Sequence, residues 1–146
     1  MLKHEYANVN GIRLHYVSAG QGKLLLFVHG FPEFWYAWKD QLAEFGRDYQ
    51  AVAPDMRGYN LSEKPSDVAQ YQIKFLVEDL RALAEHLGHK KFILVSHDWG
   101  GGAHGSLRYL IRNVWRSSSS STWRTQPSLS VSCARIQRNR RPASTC

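Results

Sequence analysis

The sequence predicts an α/β fold, a hairpin followed by parallel strands with flanking helices, and three observations carry that prediction. Leu24–Val28 and Phe92–Val95 are unbroken apolar runs rather than alternating ones, as expected of strands covered by helices on both faces. Between them, from about Gln70 to Leu87, apolar residues recur at helical spacing. Each apolar run then ends in a segment crowded with small and reactive residues, His29-Gly30-Phe31-Pro32-Glu33 after the first and Ser96-His97-Asp98-Trp99-Gly100-Gly101 after the second. Ligands of open α/β sheets sit at the carboxyl ends of the strands, so these two segments can face one another across a single site.

Taken in order, His4 to Ala19 reads as two short strands joined at Asn10-Gly11, where both residues tolerate positive φ. After the Leu24–Val28 strand a helix is expected from about Trp35 to Phe45, closed by Gly46. Ala51-Val52-Ala53 makes the next buried strand before Pro54-Asp55. Asp55 to Asn60 and Lys64-Pro65-Ser66 are rich in turn formers and read as loop. Ile73, Leu76, Val77, Leu80, Leu83, Ala84 and Leu87 make one apolar helix face, with Gly88 where helices commonly end. Lys91 to Ser96 returns as strand. The alternation of strand and helix gives βαβ units and a mostly parallel sheet.

The chain has 146 residues, 43% hydrophobic and 12% aromatic, enough for one globular core. Its formal charge of +7 is unevenly placed: through Gly102, 11 Lys and Arg stand beside 12 Asp and Glu, whereas Ala103 to Cys146 holds eight Arg and no acid. Residues 1–102 therefore read as one folded unit and 103–146 as a Ser/Arg-rich tail. Both cysteines, Cys133 and Cys146, lie in the tail, so the body has no thiol for a disulfide frame, a nucleophile or a Cys/His zinc cluster. No His-Glu-x-x-His pattern occurs, and neither a metal nor a cofactor is expected. With no apolar signal core at the N-terminus and no run near the roughly 20 residues of a membrane span, a soluble, cytoplasmic protein is expected.

The second reactive segment has the form of a strand turning sharply into a helix. Small residues at Ser96, Gly100 and Gly101 let the two backbones approach, and the turn holds Asp98 up at the sheet's edge. The alternative is that Asp98 merely caps the following helix. A carboxylate at a helix N-terminus is favoured in its ionised form, the form that attacks carbon. His29 and His97 are read as shaping backbone rather than moving protons. His4, His15, His86 and His89 are read as surface or core packing. Trp35, Tyr36 and Trp38 can line a pocket, although aromatic residues beside a sheet more often pack in its core. Arg57 is expected to pair with Asp55 or a backbone carbonyl.

Three stretches, HGFPEFWYAW at His29 to Trp38, PDMRGYNLSEKP at Pro54 to Pro65 and HDWGG at His97 to Gly101, resemble in order and spacing the α/β-hydrolases, and within them the epoxide hydrolases. The resemblance covers about His4 to Gly101 and implies the N-terminal half of that sheet, with the cap and C-terminal strands missing. It implies Asp98 as nucleophile and the backbone N–H groups of Phe31 and Trp99 as an oxyanion hole, supported by His29, Gly30, Pro32, His97, Gly100 and Gly101. The substrate would be a small epoxide, with Trp35 and Trp99 near it. Haloalkane dehalogenases share the HDWG signature and use the Trp after the nucleophile to bind halide. That family typically has Asn after His-Gly, however, and the Phe31 side chain cannot donate a hydrogen bond.

Beyond Gly101 the family's apolar helix, further core strand, cap tyrosines, acid and catalytic His are not recognisable, so the chain as written is expected not to turn over. Arginines neutralise phosphates without needing a fold, so the tail could act as a nucleic-acid arm. The favoured expectation is a shifted reading frame. One nucleotide earlier, each serine codon of the TCN type contributes to an NTC codon for Phe, Leu, Ile or Val, and Arg112 to Thr122 can become PERVEKLVIVN, a helix end and buried strand. On that reading the tail is out of frame or without tertiary structure, and nucleic acid is not a partner.

Overall fold

In the computed structural model, residues 1–98 and the strand 129–135 are described. They form a six-stranded sheet in the order β1-β2-β4-β3-β5-β6. Its strands are β1 (Lys3–Val9), β2 (Ile12–Ala19), β3 (Leu24–Val28), β4 (Gln50–Pro54), β5 (Lys91–His97) and β6 (Leu129–Arg135). The hairpin turn has Asn10 at φ 48° and Gly11 at φ 76°, the two left-handed residues that match the twist of its strands.

The sheet is mixed rather than mostly parallel. Parallel pairing is confined to β4-β3-β5, because the hairpin folds back so that β2 runs antiparallel to β4. The expected helix at Trp35 begins as a 3-10 turn, Trp35–Trp38, and becomes α1 only at Lys39–Phe45, since no side chain caps its first N–H groups. The expected helix at Gln70 likewise divides. A 3-10 turn, Val68–Tyr71, is capped by Asp67, an extended Gln72 comes next, and α2 runs Ile73–His86.

β6 was not anticipated, and it comes from the stretch expected to lack tertiary structure. It pairs antiparallel with β5 in unbroken register from Lys91↔Arg135 to His97↔Leu129. Leu129-Ser130-Val131-Ser132-Cys133 alternates apolar and polar residues, the pattern of an edge strand, and the open side of β5 offers it a row of hydrogen-bonding groups.

β3 lies between β4 and β5, so its side chains alternate between two cores. Leu24, Leu26 and Val28 join Leu76, Leu80 and Leu83 of α2, while Leu25 and Phe27 join Trp38 and Leu42 of α1. Each fully buried Leu or Phe contributes roughly 1.5–3 kcal/mol of apolar transfer, which holds both helices on the sheet. Arg57 fastens the loop after β4 to α2, not through Asp55 as expected but through a bidentate pair with Asp79 at 2.7 and 2.8 Å. It also donates to the Gln70 carbonyl at 3.1 Å, so the backbone-carbonyl part of the expectation stands. Asn10 of the hairpin turn adds a donor to Asp79 at 2.6 Å. Burial pushes the Asp79 carboxyl up, against the opposing pull of Arg57 and Asn10.

Candidate active site

The carboxyl ends of β3 and β5 lie side by side, paired through Val28↔Ser96. The turns leaving the two strands are therefore brought together across the top of the sheet. After β3, the Glu33 N–H donates to the Gly30 carbonyl at 3.0 Å, closing a four-residue turn around a cis Phe31-Pro32 bond. After β5, Asp98 takes φ 49°, a left-handed conformation that a non-glycine residue holds only where its surroundings enforce it.

The two turns meet at hydrogen-bond distance. The Phe31 N–H donates to Asp98 Oδ2 at 3.1 Å. Gly30 makes this approach possible: a Cβ there would stand 2.7 Å from Asp98 Cβ and 3.2 Å from the His97 carbonyl oxygen. Glu33 spans the same junction, with His97 Nδ1 3.3 Å from Glu33 Oε2 and the Gly30 N–H directed at that oxygen at 3.4 Å. Asp98 is exposed, and so is the Phe31 ring.

His29 is fully buried beneath the turn and holds backbone through both ring nitrogens. Nδ1 donates to the Gly30 carbonyl at 2.8 Å, so Nε2 is the acceptor for the Met56 N–H at 3.0 Å. Burial lowers its pKa, outweighing the Gly30 hydrogen bond and the Asp55 and Glu33 charges that act upward. Tyr59 crosses the His29 ring edge-on at 4.9 Å. Its phenol is pushed up by burial first and by the Asp98 charge second. Sequence reasoning passed over Tyr59, which stood in a segment read only as loop.

Asp55, at the end of β4, is the other carboxylate of this region, and sequence reading missed its importance. It is fully buried and accepts from His15 Nδ1 at 2.7 Å, Asn60 Nδ2 at 2.8 Å, the Trp35 N–H at 2.9 Å and the Leu61 N–H at 3.4 Å. Trp35 is half-buried with its backbone so anchored, and Trp38 is buried against Phe27. Trp99, Gly100 and Gly101 lie outside the described residues, and with them the second expected oxyanion donor. Among the described residues no group of three or more His, Cys, Asp or Glu could hold a metal, and no helix is long and apolar enough to cross a membrane.

The family model described as alpha/beta hydrolase fold matches residues 23–113, more than half of the chain and twelve residues past Gly101, where the motif resemblance was expected to stop. Epoxide hydrolase 1 of Caenorhabditis elegans is 52% identical over 98 residues, 66% of this chain and 24% of that protein. Epoxide hydrolase 3 of Mus musculus is 53% identical over 93 residues, 62% of this chain and 25% of its own length. Among solved structures, the epoxide hydrolase of Bacillus megaterium in complex with an inhibitor aligns with a TM-score of 0.71 at 53% identity, covering 73% of this chain and 37% of that one. An epoxide hydrolase from Vigna radiata aligns at 0.72 and 43% identity, covering 74% and 34%. The chain thus spans about a quarter of the length of these curated relatives.

Proposed function

The chain belongs to the α/β hydrolase fold family, and on that footing we propose that it carries the nucleophilic half of an epoxide hydrolase, with Asp98 as the attacking carboxylate. The observation that supports this best is the Phe31 N–H on Asp98 Oδ2 at 3.1 Å, beside a strained φ of 49° at an exposed aspartate. A helix cap needs neither a facing amide from another strand nor exposure. The names of the relatives, epoxide hydrolases throughout those described above, supply the substrate class.

An oxygen of the Asp98 carboxylate attacks a ring carbon, the carbon–oxygen bond of the epoxide breaks, and its electron pair goes to the ring oxygen, which takes up a proton. The product is a hydroxyalkyl ester on Asp98. Hydrolysis adds water to the ester carbonyl, and the Phe31 N–H, joined by that of Trp99, stabilises the oxyanion that forms. Collapse releases a diol and restores the carboxylate. That second half needs a general base. His15 is engaged by Asp55, His29 by backbone and His97 by Glu33, so in this chain the ester accumulates. The halide reading lacks a comparable support, since the Phe31 side chain offers no donor.

Incubation with a terminal epoxide followed by intact-mass spectrometry tests the proposal. One adduct per chain is expected, with no steady release of diol, and no adduct in Asp98→Asn. An adduct that persists in the Asn variant would overturn it.

A further inference from the structure

Resting on the reading of Phe31 as an oxyanion donor, we propose that His4 and His15 are positioning residues for the loop that carries it, acting through Asp55. The loop from His29 to Trp35 is fastened at both ends to the segment after β4. At its start His29 accepts from Met56 N–H at 3.0 Å, and at its end Trp35 N–H donates to Asp55 Oδ1 at 2.9 Å. Phe31 sits between these two anchors, so its N–H can stay on Asp98 only while both hold.

The second anchor is only as fixed as the Asp55 carboxylate, and that carboxylate is aimed by a chain of rings running out through the hairpin. His15, fully buried on β2, places Nδ1 2.7 Å from Asp55 Oδ2. Its Nε2 lies 3.1 Å from Nδ1 of His4 on β1. A carboxylate can only accept, so Nδ1 of His15 carries its proton. In the neutral ring Nε2 is then the acceptor, and His4 Nδ1 must donate. The His4 hydrogen bond therefore selects the tautomer of His15 that points a proton at Asp55. The same His4 ring stacks on His15 with centroids 5.2 Å apart and meets the Trp35 ring edge-on at 5.0 Å. Tyr6 closes the remaining side of His15 at 5.2 Å, its own ring covered by Arg13. An exposed residue of the first strand thus reaches the loop beside the nucleophile by one ring contact and one chain of hydrogen bonds.

The two routes are separable because His4 is exposed and its variants leave both cores intact. His4→Phe keeps the ring and removes the donor. His4→Asn removes the ring but can present an amide N–H where Nδ1 stood. Amide hydrogen exchange of the 146-residue chain should show the Trp35 and Phe31 N–H groups exchanging at least about ten-fold faster in His4→Phe, with Leu26 and Val95 unchanged, and substantial recovery in His4→Asn. Adduct formation on Asp98 should slow in the Phe variant and recover in the Asn variant. Unchanged exchange at Trp35 and Phe31 in His4→Phe, acceleration spread equally to the core amides, or no recovery with Asn would overturn the proposal. The exchange measurement uses no epoxide, so it stands or falls separately from the assignment of function.

Discussion

Two aspartates end neighbouring parts of the same sheet, Asp55 after β4 and Asp98 after β5, and their surroundings give the same functional group opposite properties. Asp55 is fully buried and receives donors from β2, the Phe31 loop and the turn at Asn60-Leu61. Its charge is spent on holding three segments together. Asp98 is exposed on a left-handed residue and faces a backbone N–H from the next strand's loop. A carboxylate wrapped in donors on both oxygens is a poor nucleophile. One held up to solvent at a strand end is available to attack. The hydrogen-bond environment, rather than the residue type, separates scaffold from chemistry.

Removing each carboxylate should break the comparison most visibly. Asp55→Ala leaves a buried histidine and two backbone N–H groups without their acceptor, and should cost about 3–5 kcal/mol in denaturant unfolding. Asp98→Gly should instead raise stability by about 1 kcal/mol, because relief of the left-handed backbone exceeds the loss of the Phe31 bond. Equal losses in the two variants would erase the distinction. Gly30→Ala comes next, since its methyl would meet Asp98 Cβ at 2.7 Å. A cost of about 1–3 kcal/mol is expected, together with loss of the Phe31–Asp98 contact seen as faster Phe31 amide exchange.

The smallest effect is one of pH. Burial lowers the pKa of His29 below its ordinary 6.5, so the folded state prefers the neutral ring and the unfolded chain binds the proton more readily. The stability that neutral His29 supplies is complete above 6.5 and is lost as pH falls below it. The denaturation midpoint of the parent should therefore fall more steeply than that of His29→Gln as pH is lowered from 7 to about 5. Parallel curves would show that His29 does not titrate against its burial.

Much of this arrangement is legible in sequence because it is encoded locally. Asn10-Gly11 announces its turn, Ile73 to Leu87 its helix, and the small residues around Asp98 the sharp exit from β5. The features that escaped reading depend on partners far apart in the chain. Arg57 pairs with Asp79, 22 positions away, and Asp55 with His15, 40 positions away, pairings that leave no periodic trace. Tyr59 comes to His29 only once β3 and β4 lie side by side. The mixed sheet was missed for a similar reason: a hairpin signal fixes the pairing of its own two strands and says nothing about which later strand the second one will join. β6 was passed over because charge and serine content drew attention away from the alternation of Leu129, Val131 and Cys133.

The division between the two aspartates is tested most directly by mapping where an epoxide reacts. After incubation of the intact chain with a terminal epoxide, proteolysis and tandem mass spectrometry should find the ester on Asp98 and none on Asp55. The other carboxylates should be labelled no more than they are in the unfolded chain. Labelling spread evenly over the surface acids, or an ester on Asp55 comparable to that on Asp98, would contradict the assignment of nucleophile and scaffold.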